Sequence, residues 1–280
     1  MRRKNLIGLT LCVLIFLTGF LIKGNLGLYF NLAGLMIVVG GSSAAALLSF
    51  QVHRLKIVFQ VIRASYTQRN ISEDQIVEML INLAIKSRVE GILSLQEEEQ
   101  ETSILFLRRG LGCLVDNYDP HQIRDILNTE MYFFKLRRED SERVLRTIGD
   151  FFPAFGIIGS VVGLISMLAG IGDTSVILRT VPIALTSTLY GLVCANFFFV
   201  PFAANLRERT NHELLLQKII LEGIVAIESE LNPTVLKTKL LSFLTPSSRQ
   251  DDLVPLAKIR DKFNIRSQED TDRAGEQPAP

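Results

Sequence analysis

Four stretches of this 280-residue chain contain no Asp, Glu, Lys or Arg: residues 5–22, 24–52, 151–172 and 180–206. Charged residues make up 21% of the whole sequence but about 32% of what lies outside those stretches. Crossing the roughly 30 Å hydrocarbon core of a bilayer takes about 20 apolar residues in an α-helix. All four stretches meet that length, and the partition excludes an ordinary soluble globular domain. The expected fold is an all-α membrane protein with four transmembrane helices, near residues 6–22, 30–50, 147–171 and 181–206. They form two hairpins with short turns at 23–28 and 172–180.

The N-terminus, Met1-Arg2-Arg3-Lys4 followed by an apolar run, starts like a signal peptide. The run is 18 residues long, no A-x-A-like site follows, and a second apolar block begins almost at once. It is expected to stay as a signal-anchor helix. Only Lys23 and Arg179 flank the short turns, whereas Arg2, Arg3, Lys4, Arg54, Lys56, Arg63, Arg143, Arg146, Arg207 and Arg209 cluster at the opposite ends. The positive-inside rule then puts both termini, and the segment between the second and third spans, in the cytoplasm.

Five parts are expected: spans one and two at 1–50, a cytoplasmic helical domain at 51–146, and spans three and four at 147–206. A helical cytoplasmic extension follows at 207–244 and a flexible polar tail at 245–280. The 51–146 part is helical by periodicity, with Ile76, Met79, Leu80 and Leu83 at three- and four-residue spacings. Ser72 and Gln75 have the spacing of a capping box.

The net charge of +1 argues against nucleic-acid binding. Three scattered cysteines and three distant histidines form no disulfide framework or metal site, and no catalytic set is present. Neither enzymatic activity nor a bound cofactor is expected.

No carboxylate, lysine, arginine or histidine lies deep in the spans, although ion carriers usually place an ionisable group there. Either the spans only anchor the chain, or another chain supplies the group. Span three puts Gly156, Ser160 and Gly163 on one face with Gly159 beside them. Span four puts Ala184, Thr188, Gly191 and Ala195 on another, next to Ser187. Such faces allow close helix packing in lipid. They could equally line a narrow path with the Ser160, Ser187 and Thr188 oxygens, unless those hydroxyls bond back to their own helices. Pro153 and Pro201 fall near the cytoplasmic ends of adjacent spans, where proline either starts or kinks a helix. Arg88 and the run Glu97-Glu98-Glu99 form a charged patch that is either a solvated face or a contact.

At these residues the sequence resembles the MotA/PomA family of flagellar motor stator proteins, related to ExbB and TolQ. The similar stretches are Leu35-Met36-Ile37-Val38-Val39-Gly40-Gly41, Arg88 with Gly91-Ile92-Leu93-Ser94-Leu95, Pro153-Ala154-Phe155-Gly156-Ile157-Ile158-Gly159, and Leu189-Tyr190-Gly191 with Pro201. The resemblance implies a homo-oligomer, a ring of five, around a MotB-like single-span partner that carries an essential Asp. Flow of protons, or of sodium ions, would drive the rotor protein FliG. It implies conformational coupling at Pro153 and Pro201, and rotor contact by Arg88 with an acid among Glu97, Glu98 and Glu99. It puts Ser160 and Thr188 where sodium-driven members carry hydroxyls, while helix packing by Gly156, Gly159, Gly163 and Gly191 rests on their spacing alone. Two positions depart from the family: Gln96 stands where an acid is usual, and Ser160 where a threonine is common. The alternative is an ExbB/TolQ-like energiser of a periplasmic or outer-membrane partner, a class that normally has three spans.

Overall fold

The computed structural model describes residues 29–67 and 71–244, together with 11, 12, 14, 15, 18 and 19. Those six early residues are helical; otherwise the expected span 6–22 lies outside the described residues, as does the tail from 245 onward. Among the described residues the chain is helical with no strand. In order come α1 (Leu32–Ser49), α2 (Val52–Thr67), α3 (Glu73–Glu90), α4 (Leu95–Glu101), α5 (Leu105–Val115), α6 (Pro120–Ala169), α7 (Thr174–Cys194), α8 (Val200–Glu228) and α9 (Pro233–Leu241). A 3₁₀ turn at Ile92–Ser94 precedes α4, and a five-residue π stretch, Ala195–Phe199, joins α7 to α8.

Contacts divide the chain into two units: Met1–Gln68 with Phe133–His212, and Arg69–Tyr132 with Glu213–Pro280. The first holds α1, α2, the later part of α6, α7, the π stretch and the start of α8. Among the described residues, three helices are long and apolar enough to cross a membrane: α1, α6, and the continuous run Thr174–Glu228. The buried stripe of α1 is Gly34, Val38, Ser42 and Ala46, spaced one turn apart, while Leu48 on another face is 89% exposed. Small residues turned inward and large apolar ones turned outward are the pattern of a helix solvated by lipid. Likewise, Ile157, Ile165 and Leu168 of α6 are exposed while Gly156, Gly159 and Gly163 are buried. Asn31 caps α1 by accepting from the Gly34 amide at 3.0 Å. Val38, Phe152 and Ala195 make one small core, and Val58, Val144, Leu145, Ala203 and Leu206 another.

The second unit has the larger core, with Ile76, Leu80, Leu95, Leu107, Leu111, Leu114, Ile123, Leu127, Ile219, Ile220, Leu221 and Ile224 almost wholly buried. The capping box at the start of α3 is formed: the Gln75 amide donates to Ser72 Oγ, and the Ser72 amide donates to Gln75 Oε1. Helix α3 stops at Gly91, whose φ of +86° suits glycine and few other residues. Gly110 and Gly223 let α5 and α8 come close to their neighbours: a Cβ would lie 2.9 Å from Ile224 Cγ1 at the first and 2.6 Å from Leu80 Cδ1 at the second.

Candidate functional site

Helices α6 and α7 pack antiparallel along their small residues. A Cβ at Gly156 would lie 3.1 Å from the Ser187 carbonyl and 3.2 Å from Thr188 Cα, one at Gly159 2.6 Å from Ser187 Oγ, and one at Gly163 2.8 Å from the Ala184 amide. Gly191 is tightest, since its Cβ would sit 2.5 Å from the Phe152 carbonyl oxygen and 3.1 Å from Pro153 Cα. The four glycines expected from spacing to serve packing all lie on this one seam.

The seam brings together two of the three expected hydroxyls. Ser160 Oγ and Thr188 Oγ1 form a short hydrogen-bonded pair. Ser160 Oγ, with one hydrogen to give, also lies 2.6 Å from the carbonyl oxygen of Ala184 and 3.1 Å from that of Gly156, while Thr188 Oγ1 is 3.5 Å from the Gly156 carbonyl. The pair therefore sits among carbonyl oxygens contributed by both helices, a concentration of oxygen ligands without a charged group. Ser187 stands apart from it. Fully buried, Ser187 donates to the Ile183 carbonyl of its own helix at 2.6 Å, and it fills the gap that the missing Cβ atoms of Gly34 and Gly159 leave.

The two proline positions meet through aromatic rings. Phe152, directly before Pro153, stacks on Phe199, two residues before Pro201, with ring centroids 4.9 Å apart. Phe199 Cβ would lie 3.0 Å from a Cβ at Gly149. Gly149 is the residue four before Pro153, whose carbonyl loses its helical donor because proline has no N–H. The π stretch reflects the same chemistry: the Val200 amide bonds the Ala195 carbonyl five residues back, and Pro201 supplies no amide to continue the α pattern. Sequence spacing alone indicates neither the stack nor the π stretch, although a proline inside an apolar helix is the cue that could have exposed the latter. A third proline that the sequence reading passed over, Pro182, lies inside α7, and its carbonyl accepts from Thr186 Oγ1 at 2.6 Å. Tyr190 fastens α7 to the entry of α1, donating to the Tyr29 carbonyl at 2.5 Å and accepting from the Asn31 amide at 2.7 Å.

In the second unit the turn at Gly91 folds α4 back toward the end of α3. This brings Glu98 to Lys86 at 3.0 Å, with Glu97 at 3.9 Å. The hydrogen bond to Glu98 holds the Lys86 ammonium's pKa above its usual range. Arg88 lies exposed at the same end of α3, so Lys86, a residue the sequence reading did not select, is the cation that meets these acids. Lys86 and Glu98 also border a cleft of ≈ 420 Å³ with Gln75, Glu78, Met79, Asn82 and Leu83. Glu99 turns the other way, toward Gly112. The end of α4 is held by Arg108, which donates to the Glu99, Gln100 and Thr102 carbonyls.

The same unit contains a carboxylate hub that spacing cannot reveal. Glu222 accepts from Arg124 at 2.8 Å and from Lys239 at 2.7 Å, with Lys218 at 3.3 Å. Burial would raise its pKa; the hydrogen bonds and charges of Arg124 and Lys239 outweigh that and lower it from 4.5 to about 2. The hub ties α6, α8 and α9 together. Among the described residues no group of three His, Cys, Asp or Glu side chains could hold a metal ion.

The sequence model of the MotA/TolQ/ExbB proton channel family matches residues 98–218. Motility protein A from Borreliella burgdorferi is 32% identical over 80% of this chain and 86% of its own length. Chemotaxis protein PomA from Vibrio alginolyticus is 30% identical over 81% of this chain and 88% of its own. The solved flagellar MotAB stator complex from Bacillus subtilis superimposes with a TM-score of 0.81 at 26% identity, over 89% of this chain and 98% of that one. The seam of small residues, the hydroxyl pair and the two linked prolines are thus features of a chain that belongs to the MotA/TolQ/ExbB proton channel family, on its MotA/PomA flagellar stator branch.

Proposed function

We propose that this stator subunit converts ion flow across the bacterial inner membrane into torque, in a ring of five copies around a MotB-like single-span partner. The observation that carries the reading is the Ser160–Thr188 pair. It gathers hydroxyl and carbonyl oxygens on the α6–α7 seam, in spans with no Asp, Glu, Lys, Arg or His deep within them. Oxygens can relay or coordinate an ion, but a cation in hydrocarbon needs a counter-charge nearby. The partner's Asp supplies it. The ion, proton or sodium, is cargo, so no bound cofactor and no enzyme chemistry are needed. Four spans, the first at 6–22, leave both termini and the second unit in the cytoplasm. There Arg88, Lys86, Glu97 and Glu98 face the rotor protein FliG. The linked Pro153 and Pro201 carry motion between the spans and the rest of the first unit. The relatives described above carry motility and stator names, which favours a rotor over a periplasmic machine as the driven partner.

The test is coexpression with the candidate partner gene. Copurification of a single-span, Asp-bearing protein supports the reading, and its absence sinks it. Swimming speed against sodium concentration, with a protonophore control, identifies the ion.

A further inference from the structure

The first acidic residue of the whole sequence is Glu73. Helix α2 therefore lies in an acid-free segment, and it carries His53, Arg54, Lys56 and Arg63. It begins at Val52, three residues after α1 ends at Ser49. So short a connection reaches about 10 Å at most, which ties the start of α2 to the end of an apolar span. Its inner face confirms that level within the first unit. Leu55, Val58, Val61 and Ile62 pack on Val144, Leu145 and Ile148 of α6 and on Ala203 and Leu206 of α8, where the other two spans end.

The outer face is of a different kind. Val52, Lys56, Phe59 and Arg63 follow at spacings of four, three and four, so they form one stripe. Val52 is 55% and Phe59 71% exposed, and Lys56 and Arg63 are exposed as well. Apolar and cationic groups alternate along it. On α6, Glu142 accepts from Arg146 at 2.8 Å and Asp140 lies 4.0 Å from Arg143. Arg207 and Arg209 add further positive charge at the same ends.

We propose that the outer stripe of α2 binds anionic phospholipid headgroups of the cytoplasmic leaflet. Phe59 and Val52 insert at the boundary between headgroups and acyl chains, and Lys56 and Arg63 take the lipid phosphates. An aromatic ring flanked by long cations suits that boundary, where ring and stems lie in the apolar layer and charges reach outward. The occupant is lipid because the stripe is at once acid-free, half apolar and set at the level where three spans end. The inference rests on the reading that α1 spans the membrane.

The experiment places a photoreactive benzoylphenylalanine at position 59 of the full chain, copurified with its partner. The complex is reconstituted in vesicles of phosphatidylglycerol and phosphatidylcholine at 3:7, with pure phosphatidylcholine for comparison. A control probe replaces Leu48, which is 89% exposed on α1. The expected result is a lipid adduct at both positions, with phosphatidylglycerol enriched over its vesicle fraction at 59 alone. Each basic residue near an anionic leaflet is worth a factor of roughly five, so Lys56→Gln with Arg63→Gln should bring the phosphatidylglycerol share of the adduct at 59 back close to its vesicle fraction. An adduct at 59 to a second copy or another protein overturns the proposal. So does a lipid adduct in bulk proportion that the double variant leaves unchanged, or no adduct at 59 while Leu48 labels lipid. Loss of lipid adducts at both positions instead refutes the span assigned to α1, and the proposal with it.

Discussion

The Phe152 and Phe199 rings stack at 4.9 Å between centroids with planes 29° apart, and each ring sits within two residues of a helix-perturbing proline. A rigid aromatic contact transmits displacement better than flexible aliphatic packing, because neither ring has a low-energy alternative inside a close-packed core. On the proposed coupling role, a movement at Pro153 would reach Pro201 through these rings rather than through the chain between them. Phe152→Leu and Phe199→Leu should each lower motor torque at normal membrane abundance, measured on tethered cells. Their coupling in a double-mutant cycle on thermal stability should be about 0.5–1.5 kcal/mol. Additive losses in torque and stability would show that the rings act independently.

Gly191 leaves no room for any side chain, since a Cβ would meet the Phe152 carbonyl oxygen at 2.5 Å. Backbone cannot step aside as a side-chain tip can. Gly191→Ala should therefore separate α6 from α7 and abolish swimming in soft agar, whereas Gly40→Ala, with nothing within 4 Å of the new methyl, should be silent. Equal phenotypes for the two would contradict this account of the seam.

Ser160 and Thr188 bond across the seam, and Ser187 bonds within its own helix. Ser160→Ala and Thr188→Ala should change how swimming speed depends on sodium or on pH, with Thr188→Ser largely restoring it. Ser187→Ala should act on packing and leave that dependence in place. A flat response of speed in the Ser160 and Thr188 variants would remove these hydroxyls from the ion path.

Charge at the end of α3 is the candidate drive surface. Lys86→Glu frees Glu98 and reverses a cation beside Arg88, so it should impair motility at least as much as Arg88→Glu. Charge reversals on the rotor should rescue both in part. Wild-type swarm diameters in both variants would dismiss the rotor-contact role.

Glu222 has a folded pKa near 2, below its ordinary 4.5. A carboxylate depressed in the folded state stabilises above its unfolded pKa, and that stability is lost as pH falls from about 4.5 toward 2. The contribution is on the order of 2 kcal/mol, because the three cations around it are partly exposed and screened. Thermal melts of the purified full chain should show this acid-side loss, and Glu222→Gln should start lower and flatten it. An unchanged acid limb in the variant would mean that other carboxylates control it.

The three long apolar helices among the described residues, the small-residue faces and the Ser72 cap were legible because their causes are local: a charge-free run, a three-to-four spacing, a two-residue reciprocal bond. The hub at Glu222 was not, because Arg124 lies 98 residues away in sequence and periodicity says nothing of such pairs. Lys86 was hidden for a related reason. Only the turn at Gly91 decides which cation of α3 faces the α4 acids. Among the hydroxyls, spacing placed Ser160, Ser187 and Thr188 in one neighbourhood, and only the interhelical register separated the bridging pair from the one that fills space.

The π stretch has a consequence for rotation. Each residue of an α-helix turns the chain by about 100°, and residues 195–199 accommodate one more than α geometry would. The side chains from Val200 to Leu206 thus carry an angular phase about 100° away from that of an uninterrupted α7. Ala203 and Leu206 reach the Val58 cluster only in that phase. Removing a single residue from 195–199 would preserve composition, length and apolarity almost unchanged, yet point a different face of the helix at α2.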